Sequence, residues 1–330
     1  MSRVTVSETG VAAPAVVKKP GRSVPELAAL MLFLGGLLVY FSFASPYFLG
    51  VDNWINILSA VSVAGILAVP GTMLLVAAQV DLSIGSASAF TGTVAAIYIN
   101  SSNLSLGIFY ACLIGIVVGI VNGFLVTKVH VNSLITTLGT LAILRGLSYI
   151  VGGGQTVMVP KLSSLGLSRP FLHLPFSVIV FALVCIAGIL VMKFTVFGRS
   201  LYVIGANPAA ARLVGIRTPR VILICFVLSG LSTAIAGVIL TSQLTAASPS
   251  AATGLELSVI TAVVLGGASL NGGRGTISGT ILGLLIIGVL NNGLVLLNVN
   301  TFWQDVARGT LLIIAVSFDQ LRERWGVKRG

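Results

Sequence analysis

Apolar stretches long enough to cross a membrane recur along almost the whole chain. A helix needs about 20 such residues to cross about 30 Å of hydrocarbon. The eighth stretch is short, which is typical of a re-entrant or broken helix, and Pro70-Gly71 predicts a kink or break in the second. The pattern predicts an all-α, polytopic membrane protein with about ten spans, at residues 26–45, 56–78, 82–99, 106–127, 132–151, 176–192, 221–242, 257–270, 276–297 and 302–320.

Composition supports the membrane class and argues against a nucleic-acid partner. Only 8% of the residues are charged and 56% are hydrophobic, whereas soluble domains carry about 25% charged residues. A net charge of +11 would indicate nucleic-acid binding in a soluble protein. Here the basic residues are concentrated in alternate loops, as the positive-inside rule requires, and only Lys161 and Arg169 fall in loops on the opposite side.

This charge distribution sets the predicted orientation and domain layout. Both ends of the chain are predicted to face the cytoplasm of a bacterial inner membrane, as tails at residues 1–24 and 322–330. Residues 25–321 form a single predicted transmembrane domain. Its largest polar loop, residues 193–220, is also predicted to be cytoplasmic.

A complete short helix is encoded inside the 193–220 loop, from Asn207 to Gly215. Asn207 is a good N-cap, Pro208 suits the first helical position, and Gly215 can take the left-handed conformation that ends a helix. A helix this short needs a surface to pack against. The favoured interpretation is a docking element for a cytoplasmic partner, and the alternative is an interfacial helix lying on membrane lipid.

The chain has none of the sequence patterns of an ATPase or another enzyme. Gly266–Gly275 is glycine-rich but lacks the GK[ST] ending of a phosphate-binding loop, so it is interpreted as a flexible cytoplasmic hairpin. Zinc-peptidase motifs, paired carboxylates and a nucleophile elbow are missing from the sequence. The three cysteines lie in apolar runs without CxxC spacing, so no metal, disulfide or bound cofactor is predicted.

Charged residues at membrane depth are functional candidates by default. Asp81, with Ser83 beside it, lies in the turn between the second and third spans. Asp81 is also well placed to N-cap the third span, and this structural interpretation is favoured. Arg145 and Arg308 lie within spans and must face protein or water. Asp305, one helical turn from Arg308, is its predicted partner.

Uncharged polar side chains mark the candidate translocation path. They are amides and hydroxyls of the fourth, fifth and ninth spans, which can donate to and accept from a neutral polyhydroxylated solute. The alternative is that they bond to neighbouring helices, as Ser and Thr in membrane helices commonly do. The candidates are Asn122, Asn132, Thr136, Thr140, Asn291 and Asn292.

An internal echo relates the fourth and ninth spans. GIVNGFLV at Gly119–Val126 resembles GVLNNGLV at Gly288–Val295, in spans predicted to cross in opposite directions. Five spans followed by five inverted spans would produce this similarity, and so would chance similarity between two glycine-rich helices. Glycine at every fourth position in both spans predicts close helix packing, either within the chain or between subunits.

Four motifs together resemble the membrane permeases of ribose-, xylose- and arabinose-type ABC importers, whose superfamily also contains branched-chain amino acid permeases. The similarity covers about Val51–Arg322. One departure is Ala78-Gln79, where the family has two glycines, which puts the flexibility of that turn in question. The matching motifs are DLSIGS (81–86), NSLITTLGTLAILRGLSYI (132–150), FGRSLYVIGANPAAARLVGI (197–216) and ELSVITAVVLGGASLNGGRGTISGTILG (256–283).

The resemblance implies a function and a set of partners. It implies a permease subunit that forms the path for a monosaccharide and works with an ABC ATPase using ATP and Mg, a periplasmic sugar-binding protein and a second permease subunit in a homo- or heterodimer. The alternatives are another small solute (a nucleoside, an autoinducer-like molecule or a branched-chain amino acid) and a stand-alone secondary carrier. The residues that the resemblance assigns to ATPase coupling are Gly205, Asn207, Pro208, Ala210, Ala211, Arg212 and Gly215.

Overall fold

The computed structural model describes residues 24–170 and 174–327. The predicted tail at residues 1–24 lies outside the described residues except for Val24, and so do the last three residues of the second tail. Two short strands, β1 (Val157–Met158) and β2 (Ala246–Ala247), pair antiparallel. The helices are α1 (Val24–Ala44), α2 (Val51–Val76), α3 (Ile84–Ser101), α4 (Leu104–Phe124), α5 (Ser133–Val151), α6 (Ser163–Leu167), α7 (Phe176–Phe194), α8 (Val196–Ala206), α9 (Pro208–Leu213), α10 (Thr218–Leu244), α11 (Leu255–Leu265), α12 (Ile277–Leu296) and α13 (Thr301–Val327).

The predicted spans coincide with helices α1 to α5, α7, and α10 to α13. Within the described part of the chain, six helices have the length and apolar composition needed to cross a membrane: α2, α4 with its C-terminal π turn, α5, α7, α10 and α12. The helical, polytopic class is therefore confirmed, whereas the count of ten crossings stays a prediction. Helix α13 continues to Val327, past the predicted end of the membrane domain at residue 321.

Of the kink or break predicted for helix α2 at Pro70-Gly71, the break is not found, and the kink stays a prediction. The helix runs from Val51 to Val76 with Pro70 inside it, so the chain does not break there. Pro70 and Val69 before it are buried, and Gly71 after it is half-buried. Proline within a membrane helix is tolerated where neighbouring helices surround it.

Helices α2 and α10 form the centre of the bundle. Ile66, Leu67 and Leu74 of α2 and Phe226 of α10 are fully buried. Helix α10 packs against α2, α3 and α4, while α2 also packs against α7, α11 and α12. The other elements are thereby arranged around one buried pair of helices.

Glycines allow the closest helix contacts, as the spacing predicted. A Cβ added to Gly115 or Gly119 of α4 would meet backbone oxygens of Gly230 or Phe226 on α10. Similarly, a Cβ on Gly283 of α12 would meet the backbone oxygen of Ala262 on α11. Missing side chains let two backbones approach within van der Waals contact. These glycines therefore serve packing within the chain.

Helix α11 is the short eighth segment that the sequence predicted. Its 11 residues extend about 16 Å, roughly half of the hydrocarbon thickness. It begins beside the first turn of α3, where a Cβ on Gly85 would meet the carbonyl oxygen of Ala252 and the Glu256 carboxylate. The backbone of Ala252, in the non-helical residues 248–254 before α11, therefore lies against α3. Irregular backbone is tolerated at membrane depth where it packs against protein.

Candidate functional site

Helix α9 has the caps that its sequence predicts. The Asn207 side-chain oxygen accepts hydrogen bonds from the backbone N–H groups of Ala209 and Ala210, both at 3.0 Å. Pro208 occupies the first helical position. Gly215 follows the helix with φ +81° and donates its N–H to the carbonyl oxygen of Arg212 at 3.0 Å. The predicted helix and both of its ends are confirmed.

One side of α9 is anchored and the other is free. Ala211 is fully buried, while Ala210 and Arg212 are exposed. Leu213 and Val214 at the end of the helix are 89% and 72% exposed. Two large apolar side chains next to an exposed arginine form a small surface suited to a protein partner. Sequence reasoning missed these two residues, although their position just before the terminating Gly215 could have indicated them.

Helix α8 lies directly before α9 and packs against the bundle. The sequence analysis did not predict this helix. Gly205, near the end of α8, is buried so closely that a Cβ there would collide with the carbonyl oxygen of Val76 and the backbone nitrogen of Gly273. Those two groups are hydrogen bonded to each other at 2.9 Å. The Tyr202 hydroxyl of α8 also donates to the carbonyl oxygen of Gly275 at 2.8 Å.

The glycine-rich segment 266–275 is therefore not a free hairpin. It packs against α8 and against the C-terminal end of α2, and Ser269 within it is 1% exposed. The interpretation as a flexible hairpin is wrong because its glycines serve close backbone contact. We call this junction, formed by the backbones of Val76, Gly205 and Gly273, the three-backbone contact.

Ala78, in the turn that follows α2, has an unusual backbone conformation. Its φ is +58°, in the left-handed region, where a residue with a Cβ pays about 1 kcal/mol. Its methyl group lies against Gly272, where an added Cβ would collide with it. Ala78 therefore holds a conformation that favours glycine, and the lack of a side chain on Gly272 leaves room for the Ala78 methyl group.

Asp81 and Ser83 form the centre of a buried polar network. One Asp81 carboxylate oxygen accepts from the backbone N–H and the hydroxyl of Ser83 at 3.0 and 2.6 Å, and the other accepts from the Ser229 hydroxyl of α10 at 2.7 Å. Ser83 in turn accepts from the Asn122 amide at 3.1 Å, and Asn122 accepts from the Thr140 hydroxyl at 2.6 Å. We call these five residues the Asp81 network. It joins the α2–α3 turn to α4, α5 and α10.

The prediction that Asp81 is the N-cap residue is wrong by two positions. Helix α3 begins at Ile84 and Ser83 is its N-cap residue, because the Asp81 carboxylate bonds Ser83 in an Asx-type turn before the helix. Burial raises the pKa of Asp81, and the hydrogen bonds from Ser83 and Ser229 act in the opposite direction.

The structure places the six path candidates in four different settings. Asn122 and Thr140 belong to the Asp81 network, and Asn122 is fully buried. Asn132 is exposed and N-caps α5 by accepting from the N–H of Leu134 at 2.9 Å. The Thr136 hydroxyl is buried and has no partner among the described residues. The remaining two candidates, Asn291 and Asn292, line a cavity.

That cavity has a volume of about 430 Å³ and lies between α2, α11, α12 and α13. Asn292 exchanges hydrogen bonds of 2.8 and 3.0 Å with Asn53 of α2. Arg308 pairs with Asp305 at 3.3 Å, as predicted, and its Nε atom is buried with no partner among the described residues. The lining residues that matter below are Ile57, Ala60, Val61, Ala252, Asn291 and Arg308. We call this space the α12 cavity.

Arg145 of α5 binds the segment that leads into α11. One of its guanidinium nitrogens donates to the carbonyl oxygens of Pro249 at 2.6 Å and Ala251 at 2.9 Å. Arg145 thus faces protein, as predicted, and its partners are backbone carbonyls that no helix satisfies. A charged donor at this place replaces the missing backbone ladder of the 248–254 segment.

Replacing Arg145 with methionine is expected to lower the free energy of unfolding by about 3 kcal/mol, because two carbonyls lose a charged donor. Thermal unfolding of the detergent-purified protein, followed by intrinsic fluorescence, measures the change. Arg169→Met, at an exposed arginine, is the matched control and should change it by less than about 0.5 kcal/mol. Equal unfolding temperatures for the two variants would contradict the assigned role of Arg145.

Comparison with known proteins gives the family. The family model described as "Branched-chain amino acid transport system / permease component" matches residues 53–316. The chain belongs to this permease family. As a family member it is a transport component of the membrane rather than an enzyme.

Several curated relatives cover nearly the whole permease. It is 40% identical to the L-arabinose transport system permease protein AraH of Escherichia coli (strain K12), over 97% of this chain and 98% of that protein. It is 40% identical to the L-arabinose ABC transporter permease protein AraH of Azospirillum brasilense, over 89% and 87%. The ribose import permease protein RbsC of Escherichia coli (strain K12) is 37% identical over 87% and 91%. No solved structure matches this permease.

Proposed function

We propose that this permease is the membrane subunit of an ABC importer for a monosaccharide of the L-arabinose or D-ribose class, in a bacterial inner membrane. The carrying observation is α9, a capped helix that is anchored through Ala211 and presents Leu213 and Val214 to solvent. A permease with such a helix receives its energy from a docked partner. The arabinose and ribose permeases among the relatives supply the solute class.

The partners divide the work. An ABC ATPase, using ATP and Mg, docks on α9, and its closure moves α8, α2 and α12 together through the three-backbone contact. A periplasmic sugar-binding protein delivers the solute on the opposite side. A second permease subunit, either another copy of this chain or a different chain, completes the assembly. Both termini lie in the cytoplasm, on the same side as α9.

The ten crossings are arranged as five plus five inverted spans in this proposal. Gly119 of α4 packs against Phe226 of α10, and Gly288 of α12 packs most closely against Val61 of α2 and next against Ile57. Phe226 follows Ile57 by the same 169 residues that separate Gly119 from Gly288. The two glycines occupy equivalent positions in the similar segments of α4 and α12, and Phe226 and Ile57, which they contact, are equivalent as well. This agreement supports the repeat.

The test of docking uses the permease reconstituted with its ATPase and its binding protein in liposomes. Ala210→Glu and Leu213→Glu are expected to reduce ATP-dependent uptake of L-arabinose and D-ribose by at least about tenfold, because a charge is placed in an apolar contact. Neither variant should change the unfolding temperature, since both side chains are exposed.

Leu213→Met is the control, because it keeps an apolar side chain of similar volume. It should retain most of the uptake. Normal uptake in both glutamate variants would overturn docking at α9. Uphill uptake by the permease alone, without ATPase or ATP, would overturn the importer proposal itself.

A further inference from the structure

The α12 cavity occupies the place in the second half of the chain that the Asp81 network occupies in the first. The offset of 169 residues between Gly119 and Gly288 also relates Asn122 of the network to Asn291 of the cavity. Both asparagines lie one turn after the glycine that packs on the opposite half, on equivalent helices. The comparison can therefore be extended to the other members of the network.

Three of the five network positions have no polar side chain at the equivalent position, and a fourth has a hydroxyl where the network has a carboxylate. Only the asparagine is kept: the two serines are replaced by alanine, the threonine by glycine, and the aspartate by a serine whose hydroxyl bonds Ser248 at 3.0 Å. At the same offset Asp81, Ser83, Asn122, Thr140 and Ser229 correspond to Ser250, Ala252, Asn291, Gly309 and Ala60.

The replacements leave open space. Ala60, Ala252 and Asn291 all line the α12 cavity, whereas Gly309 is exposed and does not line it. In the first half the Asn122 amide donates to Ser83 and accepts from Thr140. In the second half the Asn291 side chain has no hydrogen bond to any described residue. One amide is thus satisfied by the protein, and its counterpart is left facing a void.

Arg308 adds a second group that points to a ligand. It lines the cavity, its pairing with Asp305 engages one terminal nitrogen, and its buried Nε atom has no partner in the described part of the chain. Buried donors are normally satisfied, and an unpaired one carries a free-energy cost. A guanidinium and an amide together offer several donors and one acceptor to an uncharged solute.

We propose that the α12 cavity binds one molecule of a neutral polyhydroxylated solute during its passage. The hydroxyl groups of the solute take the places that Ser83 and Ser229 hold in the first half. Asn291 and Arg308 bond these hydroxyls, and Ile57 and Val61 contact the C–H face of the sugar ring. A volume of 430 Å³ lies within the ~300–1,000 Å³ range of small-molecule sites. This site rests on the proposed monosaccharide transport.

The test compares two cavity variants with a matched control in the reconstituted importer, using L-arabinose and D-ribose as probes. Ala60→Phe fills the space, and Asn291→Leu removes the amide at nearly constant volume. Each is expected to reduce ATP-dependent uptake by about tenfold or more, the equivalent of one lost good hydrogen bond. Ala182→Phe is the control, because Ala182 is an exposed alanine of α7 that does not line the cavity.

A second measurement separates solute contact from damage to the fold. Ser258 lines the same cavity, so a Ser258→Cys variant, with the three native cysteines changed to alanine, can be labelled with a small thiol reagent. Either sugar at saturation should slow labelling several-fold, whereas sodium chloride at the same concentration should not. Unchanged labelling would overturn solute binding in the cavity even if both uptake variants were impaired.

The outcomes distinguish this site from the function on which it rests. If the wild-type importer takes up neither sugar, the proposed function is contradicted, and so is the proposed site. If the wild type transports a sugar and both cavity variants transport it at the rate of Ala182→Phe, the importer stands and the cavity site is overturned. Loss of uptake with sugar-protected labelling supports the site.

Discussion

Replacing Asp81 with alanine is expected to lower the free energy of unfolding of this permease by about 4 kcal/mol. The carboxylate accepts three hydrogen bonds, from the Ser83 N–H, the Ser83 hydroxyl and the Ser229 hydroxyl. All three donors are buried, and each buried donor left without an acceptor costs about 1–3 kcal/mol. The loss extends further because Ser83 also holds the Asn122 amide.

Thermal and denaturant unfolding of the purified protein measure this loss, with two variants for comparison. Asp81→Asn keeps the shape and one accepting oxygen, so it should lose about half as much. Asp52→Ala removes an exposed carboxylate from the first turn of α2 and should cost less than about 1 kcal/mol. If Asp81→Ala unfolds like Asp52→Ala, the network does not stabilise the bundle.

Replacing Gly205 with alanine is expected to disrupt the seat of α8 and to abolish at least about nine-tenths of ATP-dependent uptake. The new methyl group would collide with the Val76 carbonyl oxygen and the Gly273 nitrogen. Both atoms belong to backbones that are hydrogen bonded to each other, so neither can yield as the end of a flexible side chain could. Overpacking of this kind typically costs about 1–3 kcal/mol, and relief requires α8 to shift.

Gly146→Ala is the matched control. A Cβ on this glycine of α5 would meet nothing within 4 Å, so alanine there should leave uptake unchanged and should slightly favour the helix. Uptake of the reconstituted importer and the unfolding temperature are measured for both variants. A Gly205→Ala permease that transports normally would show that the close contact at α8 does not transmit motion.

Local signals predicted the local parts of the fold well. The capping residues of α9 lie within one short stretch of sequence, so Asn207, Pro208 and Gly215 could be assigned from the sequence alone. The helical segments followed from apolar length, because hydrocarbon thickness fixes that length. The short α11 was visible for the same reason, and the Arg308–Asp305 pair followed from helical spacing.

Long-range contacts could not be predicted in the same way. Asn122 and Thr140 were grouped as path candidates because both are uncharged and polar, yet they bond each other inside the bundle. Nothing in the neighbourhood of Arg145 indicates that its partners are the carbonyls of Pro249 and Ala251, about a hundred residues away. The structural role of a glycine such as Gly205 cannot be predicted in a glycine-rich chain, because it depends on which distant backbone packs against that glycine.

The three-backbone contact has a mechanical consequence. If a partner pushes on α9 as proposed, the force passes through the backbone of Gly205 to Val76 at the end of α2 and to Gly273 before α12, with no rotatable side chain in between. The three backbones pack too closely for one of them to move without the others. In the proposed importer, a displacement of α9 would therefore reach the segments that hold Val76 and Gly273 together, without depending on the conformations of the surrounding side chains.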